Sequence, residues 1–238
     1  MLADNARLSI VLPCYNEAEG LPNLLDRYAE FAARYQFELV LVDNGSTDNT
    51  QEVIGRLLPK YAFARCTRVI KNVGYGHGIF QGLKQAQGEF LAWSHADLQT
   101  DGGDVFRAYD SLKNAQNVSR TLVKGRRRGR RLSERFISRG MELASLCLLR
   151  SRLTEINAQP KVFHRDLLSF LTKPPTDFNF DVYVLYKANR AGWAIREVEV
   201  DFPPRPFGES HWAATWRSKF RTIRRSLFYM GRLSMEEG

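Results

Sequence analysis

The sequence predicts a single α/β domain built on an open, mostly parallel sheet. Strand-like and helix-like segments alternate through the first hundred residues, which is typical of right-handed crossovers between parallel strands. Two apolar runs, Phe37 to Val42 and Phe90 to Trp93, lie just ahead of Asp43 and Asp97. Because ligands of open α/β sheets bind beyond the carboxyl ends of the strands, these aspartates indicate a nucleotide-sized site at that edge.

The first half of the chain contains four predicted strands. Apolar residues at helical spacing between Leu21 and Phe31 predict a helix after the first strand, and Ser46 or Thr47 can cap a second helix that runs through Leu57. The glycine-rich segment 72–82 is expected to be a loop. The four strands are Leu8 to Leu12, Phe37 to Val42, Cys66 to Ile70 and Phe90 to Trp93.

The second half is less regular. Prolines at 203, 204 and 206 interrupt it, so the segment RPFGES at 205–210 is expected to be a loop. We divide the chain into a main domain, residues 1–210, and a C-terminal helix, residues 211–238. The other elements expected here are strands at Thr121 to Val123 and Glu197 to Phe202, and helices at Leu132 to Leu149 and Phe180 to Arg190.

The predicted C-terminal helix is basic and amphipathic. Its apolar residues fall within an arc of about 80°, whereas its arginines lie outside that arc. Such a helix can lie in a bilayer interface, and it can equally pack on the domain itself. The apolar residues are Trp212, Trp216, Phe220, Ile223, Leu227 and Met230.

Composition and length exclude several classes of protein. With 238 residues, 44% of them apolar and 12% aromatic, the chain is not a disordered protein. Cys14, Cys66 and Cys147 are odd in number and far apart, which predicts reduced thiols in a cytosolic protein. No signal peptide and no apolar stretch of about 20 residues is recognisable, so we expect a cytoplasmic protein that meets a membrane only peripherally.

The net charge of +9 is concentrated in two segments. Residues Arg120 to Arg139 carry a net +8 and residues Arg205 to Arg232 a net +6, so the rest of the chain is acidic. This distribution indicates a local anionic partner: phosphate groups, an anionic membrane or a nucleic acid.

Four motifs in order carry a resemblance to a known family. They are LPCYNEAEG at 12–20, VDNGSTDNT at 42–50, HADLQ at 95–99 and RPFGES at 205–210. Together they resemble the family 2 inverting glycosyltransferases, and most closely the polyprenyl-phosphate sugar synthases of the dolichyl-phosphate mannose synthase type. The resemblance implies a Rossmann-like nucleotide-sugar-binding domain of glycosyltransferase A type, and it makes the main domain the catalytic one.

The resemblance also implies which residues hold the nucleotide. Asn44 stands where the family usually has a second aspartate after Asp43. The glycine-bearing segment that begins at Asn72 is expected to lie beside the nucleotide. The implied nucleotide contacts are Pro13, Tyr15, Glu17, Asp43, Asn72, Gly76 and Asp97.

A divalent cation, Mn²⁺ or Mg²⁺, is implied at the HADLQ motif. Asp97 and Gln99 match the second half of the family's DxDLQ metal motif, and their oxygens suit hard cations. His95 replaces the first aspartate. Imidazole binds Mn²⁺ but suits Mg²⁺ poorly, so His95 is either a third ligand or a hydrogen-bonding neighbour of the site.

Phosphate-binding residues are implied in the two basic segments. Guanidinium groups bind phosphate oxygens bidentately. The other arginines of the VKGRRRGRR tract are expected to face anionic headgroups or water. The implied contacts to the acceptor phosphate and the donor diphosphate are Arg126, Arg135, Ser138, Arg205 and Ser210.

Asp181 lies where many family 2 enzymes place a catalytic acid that could serve as general base. An ionised phosphate acceptor needs little deprotonation, so Asp181 either acts as that base or orients the acceptor region and caps its helix. The branch often has Gly-Phe-Arg after its middle helix, whereas this chain has NAQPKVFHR at 157–165.

The resemblance implies a metal-dependent hexosyltransferase that moves a sugar from a nucleoside diphosphate sugar to a polyprenyl phosphate at the cytoplasmic membrane face. A membrane-anchoring partner is compatible with this function. The nearest rival is a transferase with a saccharide or glycolipid hydroxyl acceptor. The other rivals are a nucleic-acid-binding protein, which we do not expect, and a degenerate transferase that binds its donor without turnover.

Overall fold

The computed structural model describes residues 7–129, 132–201 and 216–237. Its described strands form one seven-stranded sheet in the order β3-β2-β1-β4-β6-β5-β7. Strand β6 runs antiparallel to both of its neighbours, and the other pairings are parallel. The strands are β1 (Leu8–Cys14), β2 (Phe37–Asn44), β3 (Ala64–Val69), β4 (Phe90–Trp93), β5 (Thr121–Arg127), β6 (Lys161–His164) and β7 (Ala194–Val200).

Helices cover both faces of the sheet. The α-helices are α1 (Leu21–Ala29), α2 (Thr50–Leu57), α3 (Tyr75–Gln85), α4 (Gly102–Lys113), α5 (Leu132–Leu149), α6 (Asn179–Arg190) and α7 (Trp216–Glu237), with short 3-10 turns at Leu58–Lys60, Val118–Arg120 and Arg165–Phe170.

The core is divided between the two faces because side chains alternate along each strand. Ile10 and Leu12 of β1 point toward α1, α2 and α4 and belong to one apolar cluster. Val11, between them, belongs to a second cluster with residues of α3, α6 and α7. The predicted α/β architecture with a mostly parallel sheet is therefore confirmed.

The glycine-rich segment was predicted wrongly as a loop, since most of it forms helix α3. Glycine is a poor helix former, but here it permits close packing: a Cβ on Gly82 would lie 2.4 Å from Val11 Cγ1 and 2.7 Å from Val42 Cγ2. Helix α3 therefore needs glycine to lie directly on β1 and β2. Helix α4 and strand β6 were not predicted from the sequence at all.

The C-terminal helix packs on the protein with only part of its apolar stripe. Met230 and Leu233 of α7 are buried in the second core cluster, and α7 contacts α5 and α6. Phe220 of the predicted stripe is 68% exposed. Trp212 and the proposed boundary at residue 210 lie outside the described residues. Within the described ranges, no helix is long and apolar enough to cross a bilayer.

Candidate active site at the carboxyl edge of the sheet

The parallel register brings the first two predicted loops together. Cys14, the last residue of β1, pairs with Asp43 of β2, so the loop that carries Tyr15 begins beside Asp43. The Asp43 side chain is buried. Its Oδ1 atom accepts a hydrogen bond from the Ser46 backbone N–H at 3.0 Å, and its Oδ2 atom lies 3.5 Å from Arg68 Nε.

Asn16 fastens these two loops to each other. It adopts a positive φ of 56°, which asparagine tolerates better than most residues. Its side-chain Oδ1 accepts from the Thr47 backbone N–H at 2.9 Å, and its own backbone N–H donates to Ser46 Oγ at 3.1 Å. We did not single out Asn16 from the sequence, although an asparagine just after a strand is a recognised turn signal.

The other residues predicted in the first loop lie close to Asn16 in the chain. Tyr15 is 39% exposed, so part of its ring is open to solvent. Pro13 is half-buried at the end of β1. Glu17 anchors the loop through its backbone N–H, which donates to Thr50 Oγ1 at 2.9 Å. The loop is therefore fixed while an aromatic face stays open at the sheet edge.

Asn44, at the position of the family's second aspartate, has a structural role. Its side-chain Nδ2 donates to the Gly74 carbonyl at 3.1 Å, just ahead of α3. A carboxylate at this position could not donate a hydrogen bond. The negative carboxylate oxygen of an aspartate would instead repel the partly negative Gly74 carbonyl oxygen. Asn44 also lies against Gly78, where a Cβ would be 2.8 Å from Asn44 Cγ.

The structure brings Asn72 to this edge but places Gly76 differently from the prediction. Asn72 is exposed, and its backbone nitrogen would lie 2.5 Å from a Cβ on Gly45, in the turn after β2. Gly76 is buried in the first turn of α3, where a Cβ would lie 2.5 Å from the Pro175 carbonyl oxygen. Its lack of a side chain therefore serves packing, and its contact with a nucleotide stays a prediction.

A tight turn after β4 holds the predicted metal residues. Asp97 is buried, and its Oδ1 accepts from the Gln99 backbone N–H at 3.1 Å. Leu98 between them has a φ of 58°, a conformation that non-glycine residues adopt rarely and mostly at functional sites. The hydroxyls of Ser94 and Thr100, 3.0 Å apart, close the turn.

The donor set at this turn fits a hard divalent cation only in part. Carboxylate and amide oxygens from Asp97 and Gln99 suit Mg²⁺ or Mn²⁺. Across the described ranges, however, no three His, Cys, Asp or Glu side chains are grouped so as to hold a metal ion. One carboxylate supplies too few ligands for an octahedral ion, so oxygens of a bound diphosphate and water would have to complete the coordination.

Among the described arginines of the basic tract, Arg126 differs from its neighbours. Arg127 Nε pairs with Glu155 Oε2 at 2.9 Å, and Arg128 pairs with Glu199. Arg127 is largely buried in its ion pair and does not face headgroups or water as expected, whereas the Arg128 side chain is 61% exposed and remains open to water beside Glu199. Arg126 is exposed at the end of β5 and forms no salt bridge with a described residue.

The remaining predicted phosphate ligands are only partly described. Arg135 and Ser138 lie in the first turns of α5, with Arg135 exposed and Ser138 half-buried. Helix α5 follows β5, which ends just after Arg126, and the role of Arg135 and Ser138 in holding phosphate stays a prediction. Arg205 and Ser210 lie outside the described residues.

Asp181 is part of a buried ion pair. Its side chain and that of Lys161 are both buried, and Lys161 Nζ donates to Asp181 Oδ1. The Gln159 amide donates to the same oxygen at 3.1 Å and to the Tyr75 hydroxyl at 2.9 Å. Burial lowers the pKa of Lys161 to about 8, against the opposing effect of Asp181. We did not single out Lys161 from the sequence as a site residue.

This arrangement bears on the two roles left open for Asp181. The ion pair gives the Asp181 carboxylate a fixed structural partner, and losing that carboxylate would leave a buried ammonium unpaired. This pairing favours the orienting role of Asp181, which stays a prediction. Burial, and after it the charge of Asp181, raises the pKa of Tyr75 well above its ordinary value, so its hydroxyl stays protonated.

Comparison with known proteins agrees with the fold and with the resemblance. The profile of glycosyl transferase family 2 matches residues 9–228. The chain is 24% identical over 219 residues to a dolichyl-phosphate beta-glucosyltransferase of Dictyostelium discoideum, covering 84% of this chain and 67% of that protein. It is 26% identical over 238 residues to a dolichol-phosphate mannosyltransferase of Pyrococcus furiosus, covering 98% of this chain but 65% of that protein.

A solved structure shares the architecture. Glucosyl-3-phosphoglycerate synthase from Mycobacterium tuberculosis, crystallised with Mn²⁺, UDP and glucosyl-3-phosphoglycerate, superposes with a TM-score of 0.72 at 20% identity and covers 94% of this chain and 78% of that one. An identity this low establishes the fold alone.

The fold, the site and the family profile agree on the class of protein. The chain belongs to glycosyl transferase family 2. It is therefore an enzyme of the glycosyltransferase class, with a single α/β domain of glycosyltransferase A type.

Proposed function

We propose that this glycosyltransferase transfers a hexose, with inversion, from a nucleoside diphosphate sugar to a polyprenyl phosphate at the cytoplasmic face of a membrane. The observation that carries the proposal is the placement of Asp43, Asp97 and Arg126 along one edge of the sheet, where Arg126 is exposed and forms no salt bridge with a described residue. In order along that edge, they suit a nucleotide, a metal-bound diphosphate and an acceptor phosphate.

The donor and acceptor classes are supported by relatives. Two relatives act, by name, on dolichyl or dolichol phosphate. The mycobacterial synthase was crystallised with a phosphoglycerate product. That synthase acts on a different acceptor and supports the fold alone, so the lipid acceptor is supported by the names of the two sequence relatives.

A phosphate acceptor also fits the state of Asp181. A hydroxyl acceptor needs a general base in the transition state, whereas an ionised phosphate oxygen can attack the anomeric carbon directly. The new carbon–oxygen bond forms as the bond to the donor diphosphate breaks, and the diphosphate leaves. Because Lys161 already neutralises Asp181, the site is better suited to an acceptor that needs no base.

Asp97 and Gln99 would hold the divalent cation, with His95 beside them. When bound, such a cation stabilises the negative charge that develops on the leaving diphosphate. The chain itself fixes the turn through the Asp97–Gln99 hydrogen bond and the pair of Ser94 and Thr100. Catalysis then depends mainly on positioning and on electrostatic stabilisation.

Membrane association is proposed through the exposed face of α5 and α7, which are in contact. Both helices carry exposed large apolar side chains, and Arg221 and Arg224 of α7 are exposed as well. Exposed apolar side chains with neighbouring cations suit the interface of an anionic bilayer. These apolar side chains are Phe136, Leu143, Leu146, Phe220, Phe228 and Met235.

The function is tested by following a labelled sugar. UDP-glucose or GDP-mannose, labelled in the hexose, is incubated with the protein, Mn²⁺ or Mg²⁺, and either a short polyprenyl phosphate or 3-phosphoglycerate. We expect label in the organic phase with at least one donor and the lipid acceptor. Label transferred only to the water-soluble phosphate would overturn the lipid assignment.

A pair of neighbouring arginines gives a matched control. Arg126→Ala should lower kcat/KM for polyprenyl phosphate by roughly 10- to 100-fold, the range for losing a charged hydrogen bond of about 1.5–3 kcal/mol. Arg128→Ala removes the same charge two residues away, where Glu199 already pairs with it, and should have little effect. Equal losses in the two variants would mean that only the overall charge matters.

A further inference from the structure

Two residues at which this chain departs from the family pattern both lie next to the side chain of Tyr75. His95 replaces the first aspartate of the metal motif, and Gln159 lies in the segment that replaces Gly-Phe-Arg. The ring centroids of Tyr75 and His95 are 6.1 Å apart, with an interplanar angle of 32°. The Tyr75 hydroxyl accepts a hydrogen bond from Gln159 Nε2 at 2.9 Å. The two departures are therefore neighbours in space although far apart in sequence.

A third aromatic ring extends this cluster toward solvent. Phe178 stacks on Tyr75 with ring centroids 4.9 Å apart and an interplanar angle of 21°. Phe178 is nevertheless 44% exposed. The rings of His95, Tyr75 and Phe178 thus form a stack at the carboxyl edge, called here the aromatic wall, of which Phe178 is the most exposed member.

Packing holds the open end of the aromatic wall in place. The segment before Phe178 lies on the start of α3, where the His77 backbone N–H donates to the Thr176 carbonyl at 3.0 Å. Gly76 allows the close approach, because a Cβ there would lie 2.7 Å from the Asp177 carbonyl oxygen. Phe178 is therefore fixed by its own backbone even though its ring is partly exposed.

Buried polar groups hold the other end. The Gln159 amide joins the Tyr75 hydroxyl to Asp181 Oδ1, which also accepts from Lys161 Nζ. Gln159, Asp181 and Lys161 are all buried. Rotation of the Tyr75 ring would break a hydrogen bond that the protein interior cannot replace with water. The wall is thus preorganised before any ligand binds.

We propose that the aromatic wall binds the apolar face of the donor's hexose ring and selects which hexose is transferred. This inference rests on the proposed function. The wall includes His95 of the HADLQ turn, so a sugar attached to a diphosphate held at Asp97 would lie beside it. A pyranose ring presents a face of C–H groups, and flat aromatic side chains bury such a face without hydrogen bonds.

The inference is tested by comparing nucleotide and nucleotide-sugar binding. Affinities of the wild type, Phe178→Leu, Tyr75→Leu and Tyr75→Phe for UDP, UDP-glucose, GDP and GDP-mannose are measured by calorimetry with Mn²⁺. The two leucine variants should bind the preferred nucleotide sugar roughly 2- to 12-fold more weakly, from the 0.5–1.5 kcal/mol of an aromatic contact. Their affinity for the corresponding free nucleotide should stay unchanged.

Tyr75→Phe distinguishes the contribution of the aromatic ring from that of the hydrogen bond to its hydroxyl. It keeps the stacking surface but loses the hydrogen bond from Gln159, so its nucleotide-sugar affinity should fall between those of the wild type and Tyr75→Leu. Tyr61→Leu is the matched control, since Tyr61 lies on the opposite face of the sheet and its hydroxyl donates to Asp26. Thermal unfolding of each variant verifies that it is folded.

The outcomes distinguish this inference from the proposed function. If the wild type binds neither nucleotide nor nucleotide sugar, the proposed function itself fails. If it binds both, and Phe178→Leu discriminates between sugars as the wild type does, only the aromatic wall is overturned. Equal loss of nucleotide and nucleotide-sugar affinity in the wall variants would also overturn it, because the wall would then support the nucleotide site.

Discussion

The two edges of the central sheet bury polar groups in different ways. At the amino edge, the Glu38 carboxylate accepts hydrogen bonds from Ser9 Oγ at 2.5 Å, Arg65 Nε at 2.7 Å and the Gln87 backbone N–H at 2.5 Å. Arg165 closes the same edge by donating to the carbonyls of Ala86 and Gly88. Each of these buried groups has its partners within the protein.

At the carboxyl edge, buried polar atoms remain available. Asn44 Oδ1, Gln159 Oε1 and Asn179 Oδ1 are buried and have no hydrogen-bond partner among the described residues. Buried groups of this kind are costly in an ordinary core. Atoms of this kind also occur at the amino edge, where Trp193 Nε1 precedes β7, but the Glu38 carboxylate there is paired on both of its oxygens.

The largest effect is expected where the carboxyl edge buries charge. Asp181→Asn leaves the Lys161 ammonium without its partner and should lower the free energy of unfolding by about 3–5 kcal/mol. The double variant Lys161→Met/Asp181→Asn removes both charges and should regain most of that loss. Urea unfolding measures both values. A double variant as unstable as the single one would show that the pair is not what stabilises this region.

The next largest effect is a loss of turnover in a variant of Asp97 that keeps its stability. Asp97→Asn should lower kcat by roughly 100-fold or more, the size of effect seen when one electrostatic contact to a transition state is lost. Its stability should be unchanged or higher, because carboxylates at functional sites are often retained at a cost to stability.

Asp101→Asn is the control for Asp97→Asn. It makes the same change of charge in the same turn, but asparagine caps a helix as well as aspartate does, and Asp101 caps α4. Comparable loss of turnover in both variants would indicate a general effect of charge and would remove the special role of Asp97.

The sequence predicted the carboxyl edge better than the way its residues are supported. Asp43 and Asp97 could be placed because each follows an apolar strand, and the strand period is readable locally. Helix α3 could not be predicted from the sequence, because Gly82 is explained only by its contacts with Val11 and Val42, which lie on strands distant in sequence.

The Lys161–Asp181 ion pair could not be predicted from the sequence for a similar reason. Its members lie 20 residues apart on β6 and α6, and β6 was not predicted. A lysine in an apolar segment has no local signature that separates a buried cation from a solvated one. Only the antiparallel placement of β6 between β4 and β5 brings it under α6.

A smaller effect is expected at the amino edge. Burial alone would raise the pKa of Glu38, but the hydrogen bonds from Arg65 and Ser9 outweigh it and lower that pKa. Glu38→Gln should therefore reduce the free energy of unfolding at pH 7 by about 1–3 kcal/mol and leave kcat of the folded protein unchanged. Because the pKa is lowered on folding, the difference from wild type should disappear as the pH falls through the folded value.

Glu89→Gln is the matched control for the amino edge. Glu89 pairs with Arg7 at 3.1 Å, but both side chains are largely exposed, so the change should cost less than about 1 kcal/mol. Denaturant unfolding of the two variants at several pH values gives the comparison. A reduced kcat in Glu38→Gln would contradict the separation between the two edges.

The smallest effect is an alkaline decline in activity without a decline in stability. Burial lowers the pKa of Lys161 to about 8, so at higher pH Asp181, which orients the Gln159 amide, loses its counter-charge and kcat/KM should fall as the pH rises past that value. The folded pKa of Lys161 lies below the ordinary value of 10.5, so above pH 8 the unfolded chain holds this proton more tightly. By linkage, the contribution of Lys161 to the free energy of unfolding rises over that range. The double variant Lys161→Met/Asp181→Asn should lack the decline, and an identical decline in both proteins would assign it to another group.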